Sequence, residues 1–207
     1  MTTEPLELPV AQPSAEARER ADAARNRARI LAAATELVAE RGIERVSMDD
    51  VARAASVGTG TVYRRFGDRA GLALALLDEN ERIFQDAILS GPPPLGPGAP
   101  AAVRLRAFGE RYLDVVERYA PLILAAAPPG RDMPGPFQLY ATHLTILLRE
   151  AAPHVDAEFT AQALLATLAP GRHLHARRTL GWPLARLRDG WCSLVGALSF
   201  SAPGVDR

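Results

Sequence analysis

The sequence contains no lysine, so all 24 side chains of that charge class are arginine. Each basic site is therefore a planar donor fork rather than a compact point charge. Cysteine is nearly absent too. A single Cys192 cannot build an intrachain disulfide framework and fits a reducing compartment. There is no net charge, since 24 acids balance the arginines, and the overall balance argues neither for nor against a nucleic-acid partner. No uninterrupted apolar run is long enough to span a bilayer. The opening stretch "MTTEPLELPVAQPSAEARER" lacks the apolar centre of a signal peptide. The expectation is a soluble cytoplasmic protein without membrane contact. With four histidines, one cysteine and no acidic–histidine cluster, no metal site is expected. His173 and His175 are two apart and point to different helix faces. A nucleophile–base pair, a Gly-rich phosphate loop and paired carboxylates at catalytic spacing are all missing. The chain reads as a non-enzyme, with no catalytic residues and no resident cofactor. An alternating strand pattern and an internal repeat are also missing.

What is present is helical periodicity. Residues 1–15 are polar, Pro-containing and aperiodic, and are expected to form a disordered tail. From about 16 to 41, Ile30, Leu31, Ala34, Leu37 and Val38 recur on one helix face, and Gly42 ends the pattern. Ser47 with Asp50 three residues on predicts a capped helix carrying Val51, Ala52 and Ala55. Ser56–Gly58 predict a corner, and Thr59–Phe66 a short third helix. Asp68 then caps a long fourth helix that ends at "SGPPPLGPGAP". Further helices are expected over 101–120, within "PLILAAA", and over 136–151, 156–169 and 183–199, with Pro170 and Gly171 kinking or breaking the chain between the last two. The fold class is all-α.

The second and third helices, with the glycine-containing corner between them, make a helix-turn-helix. In such a unit the second helix stands proud of the core so that its N-terminal half can enter the major groove. Val57, Val62 and Phe66 can pin that helix. Thr59, Gly60, Thr61, Tyr63, Arg64 and Arg65 are left pointing outward, and hydroxyls and guanidinium forks are groups that bond phosphates and base edges. Four arginines fall between residues 53 and 69 against one acid, Asp68. A further group, Arg25, Arg27 and Arg29, can be a solvated helix face or can reach phosphate or minor groove, and Arg27 is the candidate contact among them.

The stretch "RILAAATELVAERGIERVSMDDVARAASVGTGTVYRRFGDRAGLALALL" resembles the DNA-binding domain of the TetR family of bacterial transcriptional regulators. The likeness runs from near Arg25 to near Phe84. It implies a three-helix helix-turn-helix domain over 16–84 and a helical ligand-binding and dimerisation domain over 85–207. It also implies residue roles. Ser47, Thr61, Tyr63, Arg65 and Arg69 stand where the family contacts phosphate, and Thr59, Gly60 and Arg64 where it faces base edges. Arg69 replaces a frequent lysine and keeps the charge. The implied partners are double-stranded DNA with a palindromic operator, a small-molecule effector, and a second copy joined through the last two long helices, 156–179 and 183–199. The resemblance points to a ligand-responsive homodimeric repressor. The alternative reading is an all-helical small-molecule-binding protein or enzyme without DNA binding. Phe108, Tyr112, Phe137, Tyr140, His143 and Trp191 can line a mostly apolar effector pocket, and the same spacing also fits plain core. Cys192 can be a redox switch or a buried, inert thiol.

Overall fold

The computed structural model describes residues 14–126 and 137–199, and these are helical with no strand among them. Helix α1 spans Ala15–Arg41, α2 Met48–Ala54, α3 Thr59–Phe66, α4 Arg69–Ser90 and α5 Ala101–Ala126. They are followed by α6 Phe137–Ala151, α7 Ala157–Thr167, α8 Pro170–Leu174 and α9 Leu184–Ser199. One 3-10 turn, Ile43–Arg45, follows α1, and a π-turn, His175–Thr179, follows α8. Of the expected 1–15 tail, residues 1–13 lie outside the described residues, and α1 already begins at Ala15.

Local chemistry explains most of the boundaries. Ser47 accepts from the Asp50 amide at 3.1 Å while Asp50 reaches back to the Ser47 amide, a reciprocal capping box. Asp68 accepts from the Gly71 amide at 2.8 Å and starts α4. Asp156 accepts from the amides of Glu158 and Phe159 and starts α7. Pro170 opens α8, where its missing N–H costs nothing.

Two expectations need correction. No separate helix begins at Pro121; α5 runs through it to Ala126. Proline lacks the N–H that would bond the Glu117 carbonyl, but Tyr119 and Ala120 are fully buried just before it and hold the helix in place. Nor is 156–179 one long helix. It divides into α7, α8 and the π-turn, with the break at Pro170 that the residues themselves predict and that the implied long helix lacks.

The buried side chains form two clusters that share α4 and α5. The first joins Ile30, Leu37, Val51, Val62, Phe66 and Leu76, and it is closed from below by Val115, Tyr119 and Ile123 of α5. The second joins Phe84 and Ile88 of α4 to Phe108, Leu144, Leu165 and Trp191. Helix α4 thus lies in both cores, and the sequence boundary expected near 84/85 falls inside it. We call α1–α3 with the first half of α4 the head, and the remainder the body. At the joint, the buried Asn80 donates to the Leu76 carbonyl at 2.9 Å and to the Tyr119 hydroxyl at 3.0 Å. At its C-terminal end α4 is tied down by Arg104, which donates to the carbonyls of Ile88 and Leu95.

Candidate nucleic-acid interface

Helix α3 is fixed by two residues one turn apart. Val62 is fully buried and Phe66 nearly so. The same geometry turns Tyr63, Arg64, Arg65 and Gly60 to solvent, with Thr59 and Thr61 half-buried along the edge. Tyr63 is 48% exposed, so its ring as well as its hydroxyl is available. The N-cap is Gly58, which offers no side-chain acceptor, so the first-turn amides are free of a side-chain cap. Among the described residues Arg64 and Arg65 form no ion pair, and with Thr61 they line an open cleft of about 320 Å3 whose far wall is Asn26 of α1. Sequence reasoning did not find Asn26; nothing in its helical spacing distinguishes it, and only the crossing of α1 and α3 brings it there.

The corner before α3 is a Schellman ending. The Val57 amide bonds the Ala52 carbonyl at 2.9 Å, and the Ser56 amide bonds that of Arg53 at 3.1 Å. The left-handed residue this ending demands is Ser56, at φ +51°, and neither glycine nor asparagine occupies it. On the far side of α3, Gly71 is a steric necessity. A Cβ there would sit 2.0 Å from the Phe66 carbonyl oxygen, so α4 could not start so close to the end of α3.

The other expected contact residues divide. Arg69 is exposed and donates to the Ile43 carbonyl at 2.9 Å, which ties the start of α4 to the 3-10 turn. The Ser47 hydroxyl accepts from the Asp50 amide and donates to its carboxylate at 2.6 Å, so its one hydrogen is engaged. These bonds from Ser47 hold the Asp50 carboxyl below its usual range. Arg25 pairs with Asp22, Arg29 donates to Asn26, and Arg27 approaches Glu79 of α4 at 3.9 Å. Arg27 thus sits at the α1–α4 joint rather than beside α3.

The expected pocket residues also divide. Phe108, Tyr112, Tyr140 and His143 come together with Phe84 as one packed aromatic group, with ring centroids 5.2–6.0 Å apart. Their packing is that of core. Glu81, which the sequence did not single out, accepts a hydrogen bond from Tyr140 at the edge of the group, and burial raises its carboxyl. Burial, with Arg104 nearby, lowers His143 to about 4, and its Nε2 is buried without a partner. Phe137 packs partly buried against this core. Trp191 lies against Gly109, where a Cβ would come within 1.9 Å of the indole, and it donates to the Leu105 and Arg106 carbonyls at 3.1 Å. The Cys192 thiol donates to Glu110 at 3.3 Å; partial burial and that carboxylate raise it, which leaves little thiolate for redox chemistry.

The family model for bacterial regulatory proteins, tetR family, matches residues 30–76, the segment that contains α2, the corner and α3. Over most of its length the chain is also similar to a TetR transcriptional regulator from Streptomyces coelicolor, at 28% identity and a TM-score of 0.59, covering 85% of this chain and 99% of that one. Residues 30–76 thus resemble the DNA-binding segment of the TetR family. A TetR-family structure from Rhodococcus sp. shares the fold at 20% identity and a TM-score of 0.54, covering 86% of this chain and 100% of that one. An HTH-type transcriptional regulator of Staphylococcus aureus (strain USA300) is 38% identical over 65 residues, 31% of this chain. The match spans about a third of that relative's length, 35%.

Proposed function

We propose that this chain is a regulator of the TetR family, homodimeric and ligand-responsive, most simply a repressor, that works in the cytoplasm and not as an enzyme. The observation that carries the reading is α3 itself. It is pinned by Val62 and Phe66 and offers Thr59, Gly60, Thr61, Tyr63, Arg64 and Arg65 outward, within the segment matched by the family model. The hydroxyls, the Arg65 fork and the uncapped amides suit phosphate oxygens, and Arg64, Thr59 and Gly60 suit base edges. Arg69 and Ser47 can join the phosphate contacts only by sharing or exchanging the bonds they now make. Among the described residues no helix is long and apolar enough to cross a membrane.

Dimerisation fits the apolar surface left by α7 and α9. Phe159 is 72% exposed and Leu194 46%, and a second copy related by a two-fold axis would cover both. Two heads would then stand about one DNA turn apart, roughly 34–36 Å, over a palindromic operator. An effector entering the aromatic group around Phe108, Tyr112, Tyr140 and His143 would have to part rings that now touch Phe84 of α4. Because α4 also anchors the head, its displacement would move α3 and weaken both half-sites together. Genome-wide mapping of bound sites, with titration of a bound fragment at several salt concentrations, tests the reading. Saturable binding to a palindrome that weakens steeply with salt is expected. Failure to bind any fragment, with the fold intact, would overturn it.

A further inference from the structure

Between the head and the body runs an open cleft of about 460 Å3. The end of α1 and the 3-10 turn form one wall, bearing Arg41 and Arg45. Helix α5 and the π-turn form the other, bearing Arg118, Arg177 and Arg178. Five arginines therefore face one space that holds two acids, Glu44 and Glu117, in a chain whose acids and bases are equal in number.

Glu117 is already saturated. Arg177 donates to both of its oxygens at 2.9–3.1 Å, and His173 Nε2 lies 2.6 Å from Oε2. The remaining Arg177 nitrogen, Nη1, donates to the Trp182 carbonyl at 2.6 Å. Arg41 makes an exposed contact of 4.0 Å with Glu40 and also helps to lower the Asp50 carboxyl. Among the described residues, Arg45, Arg118 and Arg178 form no ion pair. Like charges on facing walls repel, and an anion between them would replace repulsion with charge-assisted bonds. Guanidinium forks from separate elements suit a group with several charged oxygens better than a single carboxylate. The wall is also open at Gly42, where nothing lies within 4 Å of a Cβ position.

We propose that this cleft is an anion site for a phosphate-bearing small molecule that bridges head and body. Its occupant would link the 3-10 turn, which Arg69 already ties to α4, directly to α5. The site is separate from the outward face of α3 and does not depend on the DNA-binding reading.

The test is calorimetric titration of the full chain with sodium pyrophosphate at constant ionic strength and without divalent metal. Saturable binding and a raised melting temperature are expected. Arg45→Ala on one wall and Arg118→Ala/Arg178→Ala on the other should each weaken binding about tenfold or more, whereas Arg64→Ala/Arg65→Ala should leave it in place. Circular dichroism checks that the variants fold; should the double variant fail, Arg45→Ala, on an exposed turn, decides alone. No saturable heat, wild-type affinity in the cleft variants, or loss only in the α3 variant would each overturn the proposal. Any of these would leave the arginines as solvated charges, with Arg41 and Arg45 serving the C-terminal end of α1.

Discussion

Arg64 is the residue on which specificity turns. It is the long side chain near the middle of the exposed face of α3, and among the described residues it forms no ion pair. A bidentate fork on guanine O6 and N7 is worth about 1–3 kcal/mol of discrimination. Arg64→Ala is therefore expected to relax base preference at matching positions of both half-sites while leaving salt-sensitive, non-specific binding nearly intact. Selection from randomised DNA checks it; a mutant that selects the wild-type base everywhere would assign Arg64 to phosphate. His143 gives a second test at this scale. It titrates near 6.5 in an unfolded chain but near 4 in the folded one, so below 6.5 the unfolded state takes up the proton first. Its contribution is fully present above about 6.5 and is lost as pH falls toward 4. Glu81 acts in the opposite sense, because its raised carboxyl is relieved by protonation. The comparison must therefore be with His143→Phe, which keeps a ring in the aromatic group and removes the titration. The wild type should lose more urea stability than the variant between pH 6.5 and 4. Parallel pH profiles would count against a neutral, buried imidazole.

At the scale of an element, the corner between α2 and α3 sets how α3 is presented. Its left-handed position is held by Ser56. A side chain there costs about 1–2 kcal/mol, and glycine would remove that cost while adding about 0.5–1 kcal/mol of unfolded-chain entropy. Ser56→Gly should therefore stabilise the protein by roughly 0.5–1 kcal/mol, read as a higher denaturant midpoint at unchanged slope. A lower midpoint would mean that the serine is held by something other than the turn. Helix α5 is the corresponding element of the body. Gly109 admits Trp191 against its backbone, and Glu117 holds α8 through His173 and the π-turn through Arg177. One helix thereby carries the floor of the head, the indole of α9 and the lock on the segment after α8.

For the whole molecule the decisive question is assembly. Leu194 is substantially exposed on α9, whereas its neighbours Trp191 and Val195 are buried. Leu194→Arg should leave the protomer folded and place a charge in the proposed apolar seam. Sedimentation should then report a monomer, with operator affinity lost along with the dimer. A dimer of native size would move the interface elsewhere. The joint between head and body depends on the same long-range order. Asn80 to Tyr119 and the shared burial on α4 couple the two cores, so displacement of α4 in one is felt in the other.

The sequence by itself determined the all-α class, the bounds of α3 and the caps that begin α2 and α4. Ser47 with Asp50, Asp68 with Gly71, and the glycines flanking Thr59–Phe66 act within four residues, so their physics is complete in the local string. The outward face of α3 was legible for the same reason, since burying Val62 and Phe66 fixes where Arg64 and Arg65 must point. Only the tertiary structure decided the rest. Pro121 continues a helix because distant side chains bury Tyr119 and Ala120 around it. Glu117 meets Arg177 sixty residues away, Glu81 meets Tyr140, and Arg69 meets Ile43. The two arginine walls of the cleft come from segments more than seventy residues apart. Such partners are chosen by helix crossings, and a crossing depends on the shape of the whole core rather than on any spacing along the chain.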